Sequence, residues 1–117
     1  MAEHLRSGQY GEHLALNFVH EQGYQILDRN WRYRYWEVDI VAMDGDTLVF
    51  IEVKSRTNTD FGEPLDFVDW KKKRNLIKLA EAYIKIKSFQ GEIRFDIVSV
   101  YLKTKKIELI KDAFWSS

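Results

Sequence analysis

The chain has 117 residues, 45% of them hydrophobic and 15% aromatic, which is enough apolar surface for one compact domain spanning 1–117 without covalent staples. The absence of cysteine excludes a disulfide framework, a thiolate nucleophile and cysteine-held zinc, leaving oxygen ligands or the three histidines for any metal. Basic and acidic residues balance at 18 each but are segregated: nine acids against two bases from Glu37 to Asp69, then seven bases against one acid from Lys71 to Lys87. An acidic strand region beside a basic helix suits a site that holds a cation and lays a polyanion over it, although a solvated helix face fits the charge equally well. No apolar run approaches the ~18 residues of a membrane span, and the amino terminus lacks the apolar region of a signal peptide; a cytoplasmic protein with no membrane contact is expected.

In chain order, Ser7 can cap a first helix running to about Gln22, with Leu14, Ala15, Phe18 and Val19 on one apolar face, Glu12 in its first half and Gly23 as the left-handed stop. His13 and His20 could share a face of this helix, but two imidazoles without a third ligand read as surface residues rather than a zinc site. The aromatic, alternating stretch "YQILDRNWRYRYW" reads as a strand, with Asn30 as a turn or bulge residue. A second strand near Glu37 to Met43, the turn "DGD" and a third strand from Thr47 to Ser55 should complete an antiparallel meander. The segment "RTNTDFGEPLDFV" is longer than an ordinary connection and reads as a functional flap. Asp69 then caps a second helix with the stripe Leu76, Ala80 and Tyr83 flanked by Ile77 and Ile84, and "IRFDIVSVYL" and "KIELI" follow as strands joined by "KTKK". The order αβββαββ predicts an α/β fold with a mixed sheet flanked by helices.

The second and third strands carry acids where a core is expected. Side chains alternate along a strand, so Glu37 and Asp39 share one face, and Glu52 and Lys54 share one face. A two-residue loop around Gly45 pairs Glu52 with Glu37 or Asp39 and brings all four groups together; a three-residue loop would separate the acids unless a bulge intervened. Converging carboxylates among Val, Ile, Leu and Phe repel one another and lose solvation, so a cation should offset them. Lys54 is one such cation, and Mg²⁺ or Mn²⁺ is the natural second, since a hard divalent ion accepts one or two carboxylates and fills its remaining positions with water or phosphate oxygens. Phosphodiester hydrolysis is the chemistry such a site serves. Spacing alone fits equally well four polar residues on a wet sheet face.

Asp39 followed by Glu52-Val53-Lys54 across an Asp-Gly hairpin resembles the PD-(D/E)xK motif of the restriction-endonuclease-like superfamily, whose core is αβββαβ. The stretches "GQYGEHLA", "GYQILDRNWR", "EVDIVAMDGDTLVFIEVKSR", "FGEP", the lysine-rich start of the second helix, "RFDIVSV" and the closing "AF" resemble the bacterial YraN family of uncharacterised endonuclease-like proteins over nearly the whole chain. The resemblance implies Asp39 and Glu52 as metal ligands, Lys54 as the catalytic lysine and Glu12 as an auxiliary acid on the first helix. Glu37 matches the acid of the family's Gly-Glu-Ile-Asp stretch, while Trp36 stands in place of its glycine. It also implies a core restriction-endonuclease-like fold with an extra carboxy-terminal strand.

Lys72 lies four residues before Leu76 and eight before Ala80, so it alone of Lys71 to Arg74 heads the apolar stripe and can point toward the acids or snorkel past the core. Arg32 and Arg34 interleave with aromatic residues in the manner of a nucleic-acid surface, and with Arg56, Lys71, Lys73 and Arg74 they are the expected phosphate contacts. Asp96 reads as a structural partner of Arg94 or Arg56. The expected partner is DNA or structured RNA, with a homodimer open; a metal-dependent nuclease, a non-catalytic nucleic-acid-binding module of the same fold and a dimeric scaffold are the readings the sequence supports.

Overall fold

The computed structural model describes residues 2–56 and 70–114, with side chains from residue 9 onward. The flap stretch from residue 57 and the capping residue Asp69 lie outside the described residues. Helix α1 (Ala2–Glu21) begins earlier than expected and contains Ser7 in its interior rather than at its cap. The Ala-Glu-His-Leu-Arg run ahead of Ser7 is made largely of good helix formers, and their propensity extends the helix past the local capping signal. Its end follows the sequence: Gly23 adopts φ 93°, and the N–H of Tyr24 donates to the Val19 carbonyl at 3.1 Å.

Strands β1 (Gln25–Tyr33), β2 (Trp36–Asp44) and β3 (Thr47–Arg56) form the expected meander, followed by α2 (Trp70–Lys87), β4 (Ile93–Tyr101) and β5 (Lys106–Phe114). The five-stranded sheet keeps chain order, with β3 and β4 parallel and the other pairs antiparallel. Because α2 connects two parallel neighbours, it must cross one face of the sheet. The first strand is shorter than its aromatic alternation suggests. Tyr33 pairs with Trp36, so Arg34 and Tyr35 form a hairpin turn with Arg34 at φ 58°, and Arg32 and Arg34 do not share a strand face. No Gly, Asn or Pro marks this turn, which is why composition reads through it.

The second hairpin does carry its signal. Asp44 pairs with Thr47, leaving Gly45-Asp46 as a two-residue loop with Gly45 at φ 61°, the conformation a II′ turn requires at its first central residue. That register sets Ile40 opposite Ile51 and fixes the frame of every side chain beyond it.

Among the described residues, each sheet face is covered by one helix. Ala15, Leu16 and Val19 of α1 pack with Ile40, Ala42, Val49 and Ile51, whereas Leu76, Leu79, Ala80 and Tyr83 of α2 pack with Val38, Val41, Leu48 and Phe50. Leu79, which the stripe assignment omitted, is fully buried, and its truncation to alanine should cost about 2–5 kcal/mol. Alternation is regular along β3 but breaks in β2, where Val38 faces α2 and Ile40, two residues on, faces α1. The break falls on Asp39. Beside it, Asn30 of β1 takes φ 50°, and the register passes from Arg29 opposite Ile40 to Trp31 opposite Val38. The pairing of the two strands is interrupted at Asn30 and Asp39 without a net change of register.

Candidate active site

The β2–β3 ladder runs as far as Ile40 and Ile51, and the next contact is made by a side chain: Asp39 Oδ2 accepts the Val53 N–H at 2.7 Å. The carboxylate stands where a strand carbonyl would otherwise bond. Around it, Glu52 comes from β3, Glu12 from α1 and Lys72 from α2, so elements of both sheet faces meet beside the end of the ladder. Of the four groups expected to converge, Asp39, Glu52 and Lys54 lie together, joined by the auxiliary residues Glu12 and Lys72, while Glu37 turns to Arg32.

Glu52 is 6% exposed, and its Oε1 lies 3.5 Å from Lys72 Nζ and 3.8 Å from Lys54 Nζ. Burial, reinforced by repulsion from Asp39, pushes its carboxyl up to about 7, while the two lysines oppose the rise. Burial also raises the Asp39 carboxyl; the Val53 N–H opposes this, Glu12 adds to it, and Lys72 and Glu37 act more weakly in opposite senses. Among the described residues no hydrogen-bond donor reaches the buried acceptors Glu12 Oε1 and Glu52 Oε2. Such orphaned carboxylate oxygens are costly in a folded protein and fit a cation that prefers oxygen. Among the described residues no group of three or more His, Asp or Glu side chains is placed to hold a metal ion. The donor set suits an ion satisfied by one or two carboxylates, as Mg²⁺ is, better than one needing a full protein shell.

Gly11 allows α1 to bring Glu12 this close. A Cβ at residue 11 would lie 1.8 Å from Ser55 Oγ and 2.9 Å from Ser55 Cβ, so helix and strand touch through the missing side chain. The sequence reading did not single out this contact; the signal was a glycine inside a helix immediately before an acid.

The remaining expected residues divide. Glu37 forms an ion pair with Arg32, whose side chain is 77% exposed, and is still felt by Asp39. Arg34 lies in the exposed hairpin turn with its guanidinium 5.5 Å from the centre of the Tyr33 ring. Arg56 is buried, its guanidinium 5.4 Å from the Tyr101 ring centre, which places it inside the fold rather than on a phosphate-facing surface. Lys71 is exposed, Lys73 lies over Phe114, and Arg74 lies over Trp70. Lys72 alone of this run reaches the acids, as its place in the apolar stripe indicated. Asp96 is held by Arg94, as read from sequence, and also accepts from Tyr24 Oη at 2.9 Å. Trp36, in the glycine's place, packs against the α2-side core with Lys78 over its ring.

The family profile described as "Uncharacterised protein family UPF0102" matches residues 11–100, a span that contains Glu12, Asp39, Glu52, Lys54 and Lys72. The chain is 46% identical over 121 residues to a UPF0102 protein of Flavobacterium johnsoniae and 44% identical over 117 residues to one of Flavobacterium psychrophilum, with 98% of each chain covered in both cases. It is 42% identical over 116 residues to a UPF0102 protein of Chlorobium chlorochromatii, covering 92% of this chain and 90% of the relative. With the family profile matched over most of the chain and relatives aligned nearly end to end, the chain belongs to the uncharacterised protein family UPF0102.

Proposed function

We propose that this site is a metal-dependent phosphodiesterase centre and the protein a nuclease acting on DNA or structured RNA, built on a restriction-endonuclease-like core. The observation that carries the reading is the pair of orphaned buried oxygens, Glu12 Oε1 and Glu52 Oε2, beside Asp39 and within reach of two lysines. A purely structural cluster would be expected to satisfy those acceptors, whereas a site awaiting a cation leaves them open. The order α1-β1-β2-β3-α2-β4, with β3 and β4 parallel and the acids at the parting of β2 and β3, supports the same reading.

Asp39 and Glu52 would hold Mg²⁺ or Mn²⁺, with Glu12 as an auxiliary acid. Bound there, the ion supplies Lewis-acid polarisation of a phosphoryl oxygen and lowers the pKa of nearby water. The chain's own groups do the rest. The Val53 N–H fixes the Asp39 carboxylate by its Oδ2, and the Lys54 and Lys72 ammonium groups can turn from Glu52 to the charge that builds on the phosphorus. The Lys54 ammonium can also orient the attacking water. Water adds across one P–O bond, leaving a phosphate monoester on one product and a hydroxyl on the other.

The test is cleavage of linear, nicked, branched and single-stranded substrates with Mg²⁺, with Mn²⁺ and with chelator. Metal-dependent cleavage lost in Lys54→Ala, with nucleic-acid affinity nearly unchanged, is the expected result. Absence of cleavage on every substrate, together with no divalent ion detected calorimetrically, would refute the reading. Salt-sensitive binding without cleavage would point to a non-catalytic module of the same fold.

A further inference from the structure

Among the described residues five large hydrophobic side chains are exposed, and they sort by chemistry. Leu27 and Ile86 are aliphatic. Tyr10, Tyr35 and Trp70 are aromatic, with exposures of 42%, 98% and 72%. Each aromatic belongs to an element that delivers a site residue: Tyr10 precedes Glu12 by two positions on α1, Tyr35 leads by way of Trp36 into the strand bearing Asp39, and Trp70 precedes Lys72 by two positions on α2. All three lie on stretches that lead into the end of the sheet where the acids converge, Tyr10 and Trp70 on different sides of their helices from Glu12 and Lys72.

Scattered exposed aliphatic residues are ordinary, but three exposed rings on the elements that meet at one acidic site are not explained by core packing. Cations accompany them. The Arg74 guanidinium lies 5.8 Å from the centre of the Trp70 ring, and Arg34 neighbours Tyr35 in the turn. Exposed aromatic faces interleaved with arginine are the surface on which unpaired bases stack while their phosphates meet positive charge. The bases of a continuous duplex are stacked on each other and present only edges and backbone, so such rings have little to hold.

We propose that the substrate of this site is a nucleic acid with unpaired bases next to the scissile phosphate, a single-stranded segment or end whose bases stack on Tyr35 and Trp70, with Tyr10 as a third contact. The inference rests on the nuclease reading and narrows its substrate class. It assigns to Tyr35, Trp70 and Tyr10 a binding role and no part in the chemical step.

The experiment measures fluorescence anisotropy in chelator, where nothing is cut, using labelled oligothymidine and oligouridine of about 20 nucleotides and a blunt duplex of equal length. Wild type is expected to bind the single strands at least about tenfold more tightly than the duplex. Tyr35→Ala and Trp70→Ala should each weaken single-strand binding by about tenfold with little change on duplex, and Tyr35→Phe should retain binding because the ring remains. Circular dichroism confirms that these exposed substitutions leave the fold intact. Equal or tighter binding of duplex, or alanine variants that weaken both ligands alike, overturns the inference while metal-dependent cleavage of duplex would still uphold the nuclease reading. Failure to bind either ligand, with no cleavage once Mg²⁺ is added, overturns the nuclease reading and this inference with it.

Discussion

Lys54 of β3 and Lys72 of α2 reach the same oxygen, Glu52 Oε1, from different elements at 3.8 and 3.5 Å. One lysine comes from the strand that carries the acid and the other from the helix that covers that strand's face, so the charge balance of the site also ties α2 to the sheet. A buried carboxylate beside a second carboxylate would otherwise have to remain protonated at neutral pH.

Replacing Lys72 with methionine keeps the apolar stem but removes the nearer cation. Glu52 then titrates at a higher pH, and stability falls by about 1–2 kcal/mol at a pH near 8, discounted because the Lys72 side chain is 37% exposed. At a pH near 5 the loss should shrink, since Glu52 is neutral there in both proteins. Urea unfolding at the two pH values checks this, and an equal loss at both would mean that Lys72 acts through packing alone.

The raised Glu52 carboxyl sets a pH dependence of definite sign. Its folded-state value of about 7 exceeds its ordinary 4.5, so between those limits the native state binds more protons than the unfolded state. Stability therefore declines as pH rises through that window, by on the order of 3 kcal/mol for this group, and Asp39 is shifted in the same direction. Divalent binding requires the proton to leave, so Mg²⁺ affinity should rise about tenfold per pH unit below 7 and level off above it. Calorimetry in buffers of different ionisation enthalpy should show about one proton released at pH near 6 and almost none above pH 8. Affinity flat across this range would contradict the assignment of Glu52 as a ligand.

Much of this site was legible because it depended on local chemistry. Gly45 dictated a two-residue turn, the turn dictated the β2–β3 register, and the register put Asp39 and Glu52 together. Lys72 was legible from helical spacing to Leu76 and Ala80. What parity could not show was the break in alternation at Asp39, where Val38 and Ile40 face opposite helices. Simple alternation assumes an unbroken pleat, and nothing in "VDI" announces that the Asp39 side chain will bond to Val53 in place of backbone. The Arg34-Tyr35 turn was hidden for a related reason: its left-handed residue is an arginine, held there by the pairing of Tyr33 with Trp36 rather than by its own preference.

Gly11 should be among the least replaceable residues that carry no functional group. Alanine there would put a Cβ 1.8 Å from Ser55 Oγ, which can rotate away, and 2.9 Å from Ser55 Cβ, which cannot, so relief shifts α1 off β3 and Glu12 with it. Gly11→Ala should lower stability by about 1–3 kcal/mol and weaken divalent binding. Ser55→Gly, which removes both conflicting atoms, should restore binding in the double variant even though glycine in a strand has its own cost. A double-mutant cycle with no coupling between the two positions would remove Gly11 from the argument.

Asp39 and Asp96 provide the sharpest contrast in the molecule, because both are sequestered acids and their surroundings predict opposite responses. Asp96 is 1% exposed and saturated with donors: Tyr24 Oη at 2.9 Å, Arg94 Nε at 2.9 Å, Arg94 Nη2 at 3.0 Å and the Asp112 N–H at 3.0 Å. Asn at this position turns an amide NH₂ toward donors and leaves Asp44 as the one carboxylate paired with Arg94 among the described residues, so Asp96→Asn should cost about 3–5 kcal/mol. Divalent affinity per folded molecule should be unchanged. Asp39 accepts the Val53 N–H, a bond the carbonyl oxygen of asparagine can keep, and otherwise faces Glu12, Glu37 and Glu52 with Lys72 as the opposing charge. Asp39→Asn should therefore hold stability or raise it by about 1 kcal/mol near pH 8, lower the Glu52 pKa by removing a like charge, and abolish divalent binding. Thermal unfolding and metal titration of both variants measure all of this. If Asp39→Asn loses as much stability as Asp96→Asn while retaining divalent binding, Asp39 is a structural acid and the proposed metal site is wrong.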